Sequence, residues 1–261
     1  MILEGKTVVV SGVGAGLGRE VATLAIRDGA NVVLGARTES QLERVAKEID
    51  ASGKRVAFVR TDILADAQCE GLAALALSRF GRLDALVQVA AYDTAFGGLR
   101  DGNFDDFQRA TEVNVVGSAR MVKAVAPGMQ RSGGGSIVLI GAQASFKPMP
   151  DASQMAYAAS KGALRSVMYY LARELGPDRI RVNTVVPTWM WGDPVEGYVN
   201  MQAEQEGVDR SVILARITSR MAIPEIPQDA DVAEAAIFLC SNRARFITGQ
   251  YLMVNSGELM T

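Results

Sequence analysis

Tyr157 and Lys161 stand four residues apart, a spacing that puts both side chains on one face of a helix. A phenol is a poor proton donor or acceptor at its ordinary pKa of about 10. A lysine ammonium one turn away favours the phenolate and draws the tyrosine toward acid–base work. The chain has no histidine. That excludes Ser-His-Asp hydrolysis, histidine-ligated metals and proton transfer by imidazole. Any proton moved here passes through Tyr, Lys, Asp, Glu, Ser or water.

A second group of residues suits an anion. Ser11-Gly12-Val13-Gly14-Ala15-Gly16-Leu17-Gly18 lies between an apolar run and a helical pattern. Glycine lets the backbone approach a pyrophosphate, and a helix N-terminus offers unpaired N–H groups at the positive end of its dipole. The spacing of Gly12, Gly16 and Gly18 differs from the G-x-G-x-x-G dinucleotide fingerprint.

The elements that must position these residues alternate. Strand patterns cover Thr7–Val10, Asn31–Leu34, Arg55–Val59, Leu83–Val89, Ser136–Ile140, Ile180–Val186 and Tyr251–Val254. Most are apolar throughout, as in a parallel sheet covered on both faces. Helical periodicity links them: Leu17, Val21, Leu24 and Ala25 before Gly29, Val232 to Leu239 after Asp229 and Asp231, and Met155–Leu175 before Gly176-Pro177. The pattern predicts an α/β fold, a doubly wound parallel sheet of about seven strands with helices on both faces. Residues 1–261 read as one domain. The stretch 187–228 reads as a long irregular loop, expected to be a lid over a substrate.

Composition narrows the class. The 261 residues are 49% apolar and 21% charged, with a net charge of −2, so no basic field points to nucleic acid. Cys69 and Cys240 belong to no CxxC and read as buried thiols. No apolar run is long enough for a membrane span, and the N-terminus enters a strand at once. The expected compartment is the cytoplasm.

The whole chain resembles the short-chain dehydrogenase/reductase family. The resemblance rests on the glycine turn (Ser11 in place of the usual Thr), Asp62, Asn114 in Glu112-Val113-Asn114-Val115 and Tyr157-x3-Lys161. Arg181-Val182-Asn183-x3-Pro187 and Ile247-Thr248-Gly249-Gln250 add to it. It implies an oxidoreductase with a Rossmann-like fold. Tyr157 would exchange a proton with the substrate oxygen. Lys161, with the nicotinamide's positive charge, would lower the tyrosine pKa and hold the ribose. Asn114 would kink a helix and hold a relay water. Cofactor contacts would come from Ser11, Gly12, Gly16, Leu17, Gly18, Asp62, Ile63, Ala90, Tyr157, Lys161, Pro187 and Met190. The family also implies a homotetramer, built through 104–131, Met155–Leu175 and the final strand.

An NAD site of this kind ends its second strand with a carboxylate for the ribose hydroxyls. Here that place is Ala36, and Arg37 follows. An arginine forks onto a 2′-phosphate, so NADP(H) is favoured over NAD(H). The family's Asn-Asn-Ala-Gly reads Gln88-Val89-Ala90-Ala91, and its Pro-Gly after strand six reads Pro187-Thr188. Its substrate-binding serine is replaced by Ala142, with Gln143 and Ser145 nearby. Either could supply the missing donor, or the site could be degenerate or engineered.

Tyr92, Phe96, Phe146, Met149, Trp189, Met190, Trp191, Tyr198 and Met201 are candidates for an apolar pocket, with packing of the loop or of an oligomer interface the alternative for Trp189 and Trp191. The expected function is interconversion of a ketone and a secondary alcohol on a hydrophobic cyclic or aromatic small molecule. An NADP(H)-binding sensor or scaffold and an NAD-dependent alcohol dehydrogenase remain alternatives.

Overall fold

The computed structural model describes residues 1–149 and 153–260. Seven strands pair in parallel: β1 (Thr7–Ser11), β2 (Asn31–Ala36), β3 (Val56–Arg60), β4 (Ala85–Gln88), β5 (Gly135–Ile140), β6 (Ile180–Pro187) and β7 (Tyr251–Val254). Their order is β3-β2-β1-β4-β5-β6-β7. The chain winds outward from β1 to β3, then returns to β1's other side at β4. That reversal opens a crevice beyond the C-terminal ends of β1 and β4, where α/β sheets bind ligands.

Side chains alternate across each strand, which is why the runs are apolar at every position. Val8, Val10, Val32, Leu34, Val87 and Val138 face one layer, formed by α1 (Leu17–Arg27), α2 (Glu39–Ile49) and α9 (Asp229–Cys240). Val9, Val33, Leu86, Ile137 and Leu139 face the other, formed by α3 (Asp66–Phe80), α5 (Ser118–Arg131) and α6 (Met155–Leu175). The expected doubly wound sheet is present.

Two expectations need correction. The helix expected over 104–131 is α4 (Phe104–Thr111) and α5 joined by a π-helical turn, Glu112–Gly117, which contains Asn114. The stretch 187–228 is not irregular. It holds α7 (Asp193–Glu206) and α8 (Arg210–Thr218), which close a small core of Val199, Ala203, Ile213 and Ile217 under Trp189. Residues that read as loop punctuation are helix boundaries. Pro194 lies in the first turn of α7, where a missing N–H costs nothing, and Gly207 ends that helix at φ 68. Asp209 then caps α8 by accepting from the Ser211 N–H. Among the described residues no helix is long and apolar enough to cross a membrane.

Candidate active site

The glycine turn leaves β1 and enters α1 at the crevice. Gly12 has φ +96, and a Cβ there would lie 2.1 Å from the Ala90 nitrogen. Only glycine fits both the torsion and the contact. At Gly18 a Cβ would meet the Gly12 carbonyl oxygen at 2.3 Å, so the turn and the helix touch backbone to backbone. Val89 and Ala90 both donate to the Ser11 carbonyl (2.8 and 2.9 Å), which holds the end of β4 against the turn. The N-cap of α1 is Gly16, which has no side chain to occupy the helix's first N–H groups. Beside Gly14 there is open space. This is a cradle of the shape a pyrophosphate requires. Leu17 is buried beneath it.

One residue at this cradle was read from the sequence only as the start of a helix. A Cβ on Gly16 would lie 2.9 Å from the Asp229 carboxylate. Burial pushes the pKa of Asp229 up, Glu20 adds to the rise, and Arg19 opposes it.

Beyond β2, Ala36 leaves the strand without an acid and Arg37 is exposed. Arg60 pairs with Ala36 across the ladder, and its Nε donates to the Arg37 carbonyl at 3.1 Å. Two arginines therefore meet at the end of β2. Arg60 escaped sequence reading because only strand register brings it beside Arg37. Asp62 follows β3, its carboxylate accepting from the Leu64 N–H at 3.0 Å. Ile63 is buried against Gly117.

On the other side of the crevice, α6 carries Tyr157, Ser160 and Lys161. Lys161 is buried and donates through Nζ to the Ile140 carbonyl at 2.7 Å. Its Nζ lies 5.6 Å from the centre of the Tyr157 ring. Burial pulls the lysine down to about 8, against the Asp93 carboxylate, which raises it. Burial pushes the Tyr157 phenol up, and Asp93 adds to the rise. Both effects favour the neutral phenol, the form that can donate a proton.

Asn114 is fully buried in the π-helical turn. Its amide donates to the Tyr92 carbonyl (3.0 Å) and to Ser160 Oγ (2.9 Å), while Oδ1 accepts from the Tyr92 N–H (2.7 Å). Ser160 Oγ donates to the Tyr157 carbonyl at 2.7 Å. Asn114 therefore ties the loop after β4 to the turn of α6 that carries the tyrosine. Tyr92 continues the brace, donating to Asp106 at 2.6 Å.

At the end of β5, Ala142 is extended and caps a short 3-10 turn, Gln143–Ser145. The turn brings Ser145 back, and its hydroxyl donates to the Ala142 carbonyl at 2.8 Å. Gln143 is buried, with Oε1 accepting from Asn255 at 2.7 Å.

The pocket candidates divide. Trp189 is buried and packs on Tyr198 with ring centres 5.1 Å apart, and Met149 and Trp191 join the same cluster. Phe146 instead packs edge-on against Tyr251 and beneath Arg165. Phe96 and Met201 are exposed. Pro187 ends β6 opposite Val254, and Met190 packs on the layer of α1 and α9. No group of residues fit to hold a metal exists among the described residues.

Residues 12–258 match the family model described as enoyl-(acyl carrier protein) reductase. The 7alpha-hydroxysteroid dehydrogenase of Escherichia coli (strain K12) is 32% identical over 259 residues, covering 98% of this chain and 94% of that protein. The human dehydrogenase/reductase SDR family member 4 is 31% identical over 255 residues, 98% of this chain and 88% of its own. Among solved structures, a short-chain type dehydrogenase/reductase from Mycobacterium ulcerans superposes with a TM-score of 0.88 at 28% identity, covering 99% and 91% of the two chains.

Proposed function

The chain belongs to the short-chain dehydrogenase/reductase family, oxidoreductases acting on CH–OH groups, and on that premise we propose an NADP(H)-dependent enzyme that interconverts a ketone and a secondary alcohol with Tyr157 as acid and base. The observation that carries this reading is the placement of Tyr157 and Lys161 on α6, with Lys161 tied to the end of β5, separated by one strand from β1 and its glycine turn.

The glycine turn would hold the pyrophosphate, Asp62 and Ile63 the adenine side, Ala90, Pro187 and Met190 the nicotinamide side, and Lys161 the ribose. When bound, the nicotinamide supplies or accepts the hydride. Tyr157 gives its phenolic proton to the carbonyl oxygen in reduction and takes it back in oxidation. Lys161 in its charged form stabilises the phenolate left behind. Asn114 holds the tyrosine's helix turn in place through Ser160. Arg37, with Arg60 behind it, favours a 2′-phosphate because Ala36 offers no competing carboxylate.

A hydrophobic cyclic substrate suits the tryptophan-bearing loop, and the name of the bacterial relative denotes a hydroxysteroid. In this reading α7 and α8 form a lid over the substrate, within a single domain. The two cysteines are unpaired and buried, which suits the reducing cytoplasm. A homotetramer is part of the same proposal.

Ala142 favours one rival, a cofactor-binding scaffold with weak chemistry, since it removes a donor. Titrating nicotinamide fluorescence with NADPH and NADH, then adding a panel of cyclic ketones, separates the two. Tight NADPH binding with turnover is the expected result. Binding without turnover across the panel supports the scaffold, and a preference for NADH overturns the cofactor assignment.

A further inference from the structure

We infer that Glu258 is a positioning residue for the substrate loop, holding Thr188 and Arg220 together and so fixing the segment that carries both tryptophans. The inference rests on the proposed role of that loop, but its test does not require the role to be correct.

Residues 255–258 contact three other segments of the chain. Asn255 is buried; it donates to Gln143 (2.7 Å) and to the Leu259 carbonyl (2.9 Å), and accepts from the Gly257 N–H (3.1 Å). Ser256 takes a left-handed conformation at φ 51. Its carbonyl accepts from the Ile223 N–H (3.0 Å) and its hydroxyl donates to the Glu225 carbonyl (2.7 Å). A Cβ at Gly257 would lie 2.7 Å from the Cβ of Ala222, at a φ of +74. The tail is therefore pressed onto the chain just past α8.

Glu258 is set into this contact. Its side chain is only 5% exposed. One carboxylate oxygen accepts from the Thr188 hydroxyl, and the other lies 3.5 Å from Arg220 Nε. A buried carboxylate is costly unless charged and hydrogen-bonding partners compensate it. Here the partners come from the two ends of the α7–α8 segment. Thr188 opens that segment directly after β6, and Arg220 follows α8 near its close. One side chain thus pins both ends of the insertion to the tail. The sequence shows a departure at Thr188, where glycine would offer no hydroxyl, and Glu258 is the partner that hydroxyl serves. Trp189 comes next and is buried, and Trp191 is anchored through its N–H to the Pro227 carbonyl at 2.8 Å. The loop's position is thereby linked to Gln143, immediately beyond Ala142.

The chain's two tryptophans, Trp189 and Trp191, both lie in this loop. Their emission therefore reports its position in the protein without cofactor or substrate. The test compares Thr188→Val, Thr188→Ser and Glu258→Ala by emission maximum and acrylamide quenching, with melting followed alongside. Thr188→Val and Glu258→Ala should shift emission to longer wavelength and increase quenching below the melting transition. Thr188→Ser, which keeps the hydroxyl, should match the wild type. On a ketone that the wild type reduces, Thr188→Val should raise KM about tenfold with a smaller change in kcat, the scale of a modest loss of substrate positioning. If Glu258→Ala does not fold, the Thr188 pair decides alone. Emission and quenching of Thr188→Val indistinguishable from Thr188→Ser and wild type overturns the inference, whatever the enzyme turns out to reduce.

Discussion

Lys161 donates a 2.7 Å hydrogen bond to the carbonyl of Ile140, so its ammonium is held at the end of β5, one helical turn beyond Tyr157. Burial pulls its pKa from the usual lysine value to about 8. The charged form is therefore present below that pH and is lost as pH rises through it. Since the proposed mechanism needs the ammonium to hold the ribose and stabilise the phenolate, kcat/KM for reduction should be level below about pH 8 and fall above it. A pH profile that stays level to about pH 10 would show that Lys161 keeps its charge or is not required.

In the proposed reading, cofactor choice depends on Arg37 and Arg60. Arg37→Ala should weaken NADPH by about 1.5–3 kcal/mol, the worth of a hydrogen bond to a charged group. Arg60→Ala should weaken it less, because Arg60 supports the Arg37 backbone and adds a second, exposed charge. NADH affinity should barely move in either variant. Equal losses for the two cofactors, measured by fluorescence titration, would remove the 2′-phosphate from the account.

Much of this site is written in local pattern, and the rest in register. Tyr157 and Lys161 fall on one face of α6 by spacing alone. Gly12 and Gly18 stand where only backbone-to-backbone approach explains glycine, so the turn is legible before any fold is known. The strand runs are legible for the same reason that the sheet is buried on both faces. Arg60 and Asp229 are different, because strand register brings one beside Arg37 and tertiary packing brings the other beside Gly16, and no local pattern encodes either. Asn114 shows both sides: its place in Glu112-Val113-Asn114-Val115 is legible in the sequence, yet its three hydrogen bonds to Tyr92 and Ser160, which make its side chain a brace, appear only in the fold. The helices α7 and α8 hid behind Gly192, Pro194 and Gly207, residues that mark loops and helix ends alike.

In the proposed reaction Ala142 removes a hydrogen-bond donor that another residue must supply. A hydrogen-bond donor placed where charge develops is worth roughly 2.7–4 kcal/mol, or about two to three powers of ten in rate. Ser145 is the better placed substitute, since the 3-10 turn returns its hydroxyl to the Ala142 backbone and that hydroxyl can rotate from the Ala142 carbonyl to a bound oxygen, whereas the buried Gln143 side chain is held toward Asn255. Ser145→Ala should therefore cost at least about tenfold in kcat, while Ala142→Ser gains little. A hundredfold gain from Ala142→Ser, on the order of one lost donor, would mark the chain as an impaired enzyme instead.

The proposed homotetramer rests on exposed apolar surface. Tyr169 and Tyr170 stand out from α6, Val116 from the π-helical turn and Leu252 from β7. Faces of this kind on a long helix, the π-helical turn and an edge strand suit closed symmetry. Light scattering should give a tetramer at micromolar concentration, and a stable monomer there would refute it.

The central claim is that Tyr157 moves the substrate's proton. Tyr157→Phe removes one hydroxyl from a side chain packed among Tyr92, Phe107, Ala110 and Ala156 and leaves the ring in place. On whichever ketone the wild type reduces, followed by loss of NADPH absorbance, the variant should lose nearly all turnover while binding NADPH as tightly as before. A Phe variant that keeps a substantial fraction of wild-type kcat would contradict the account, because the proton would then be coming from another group.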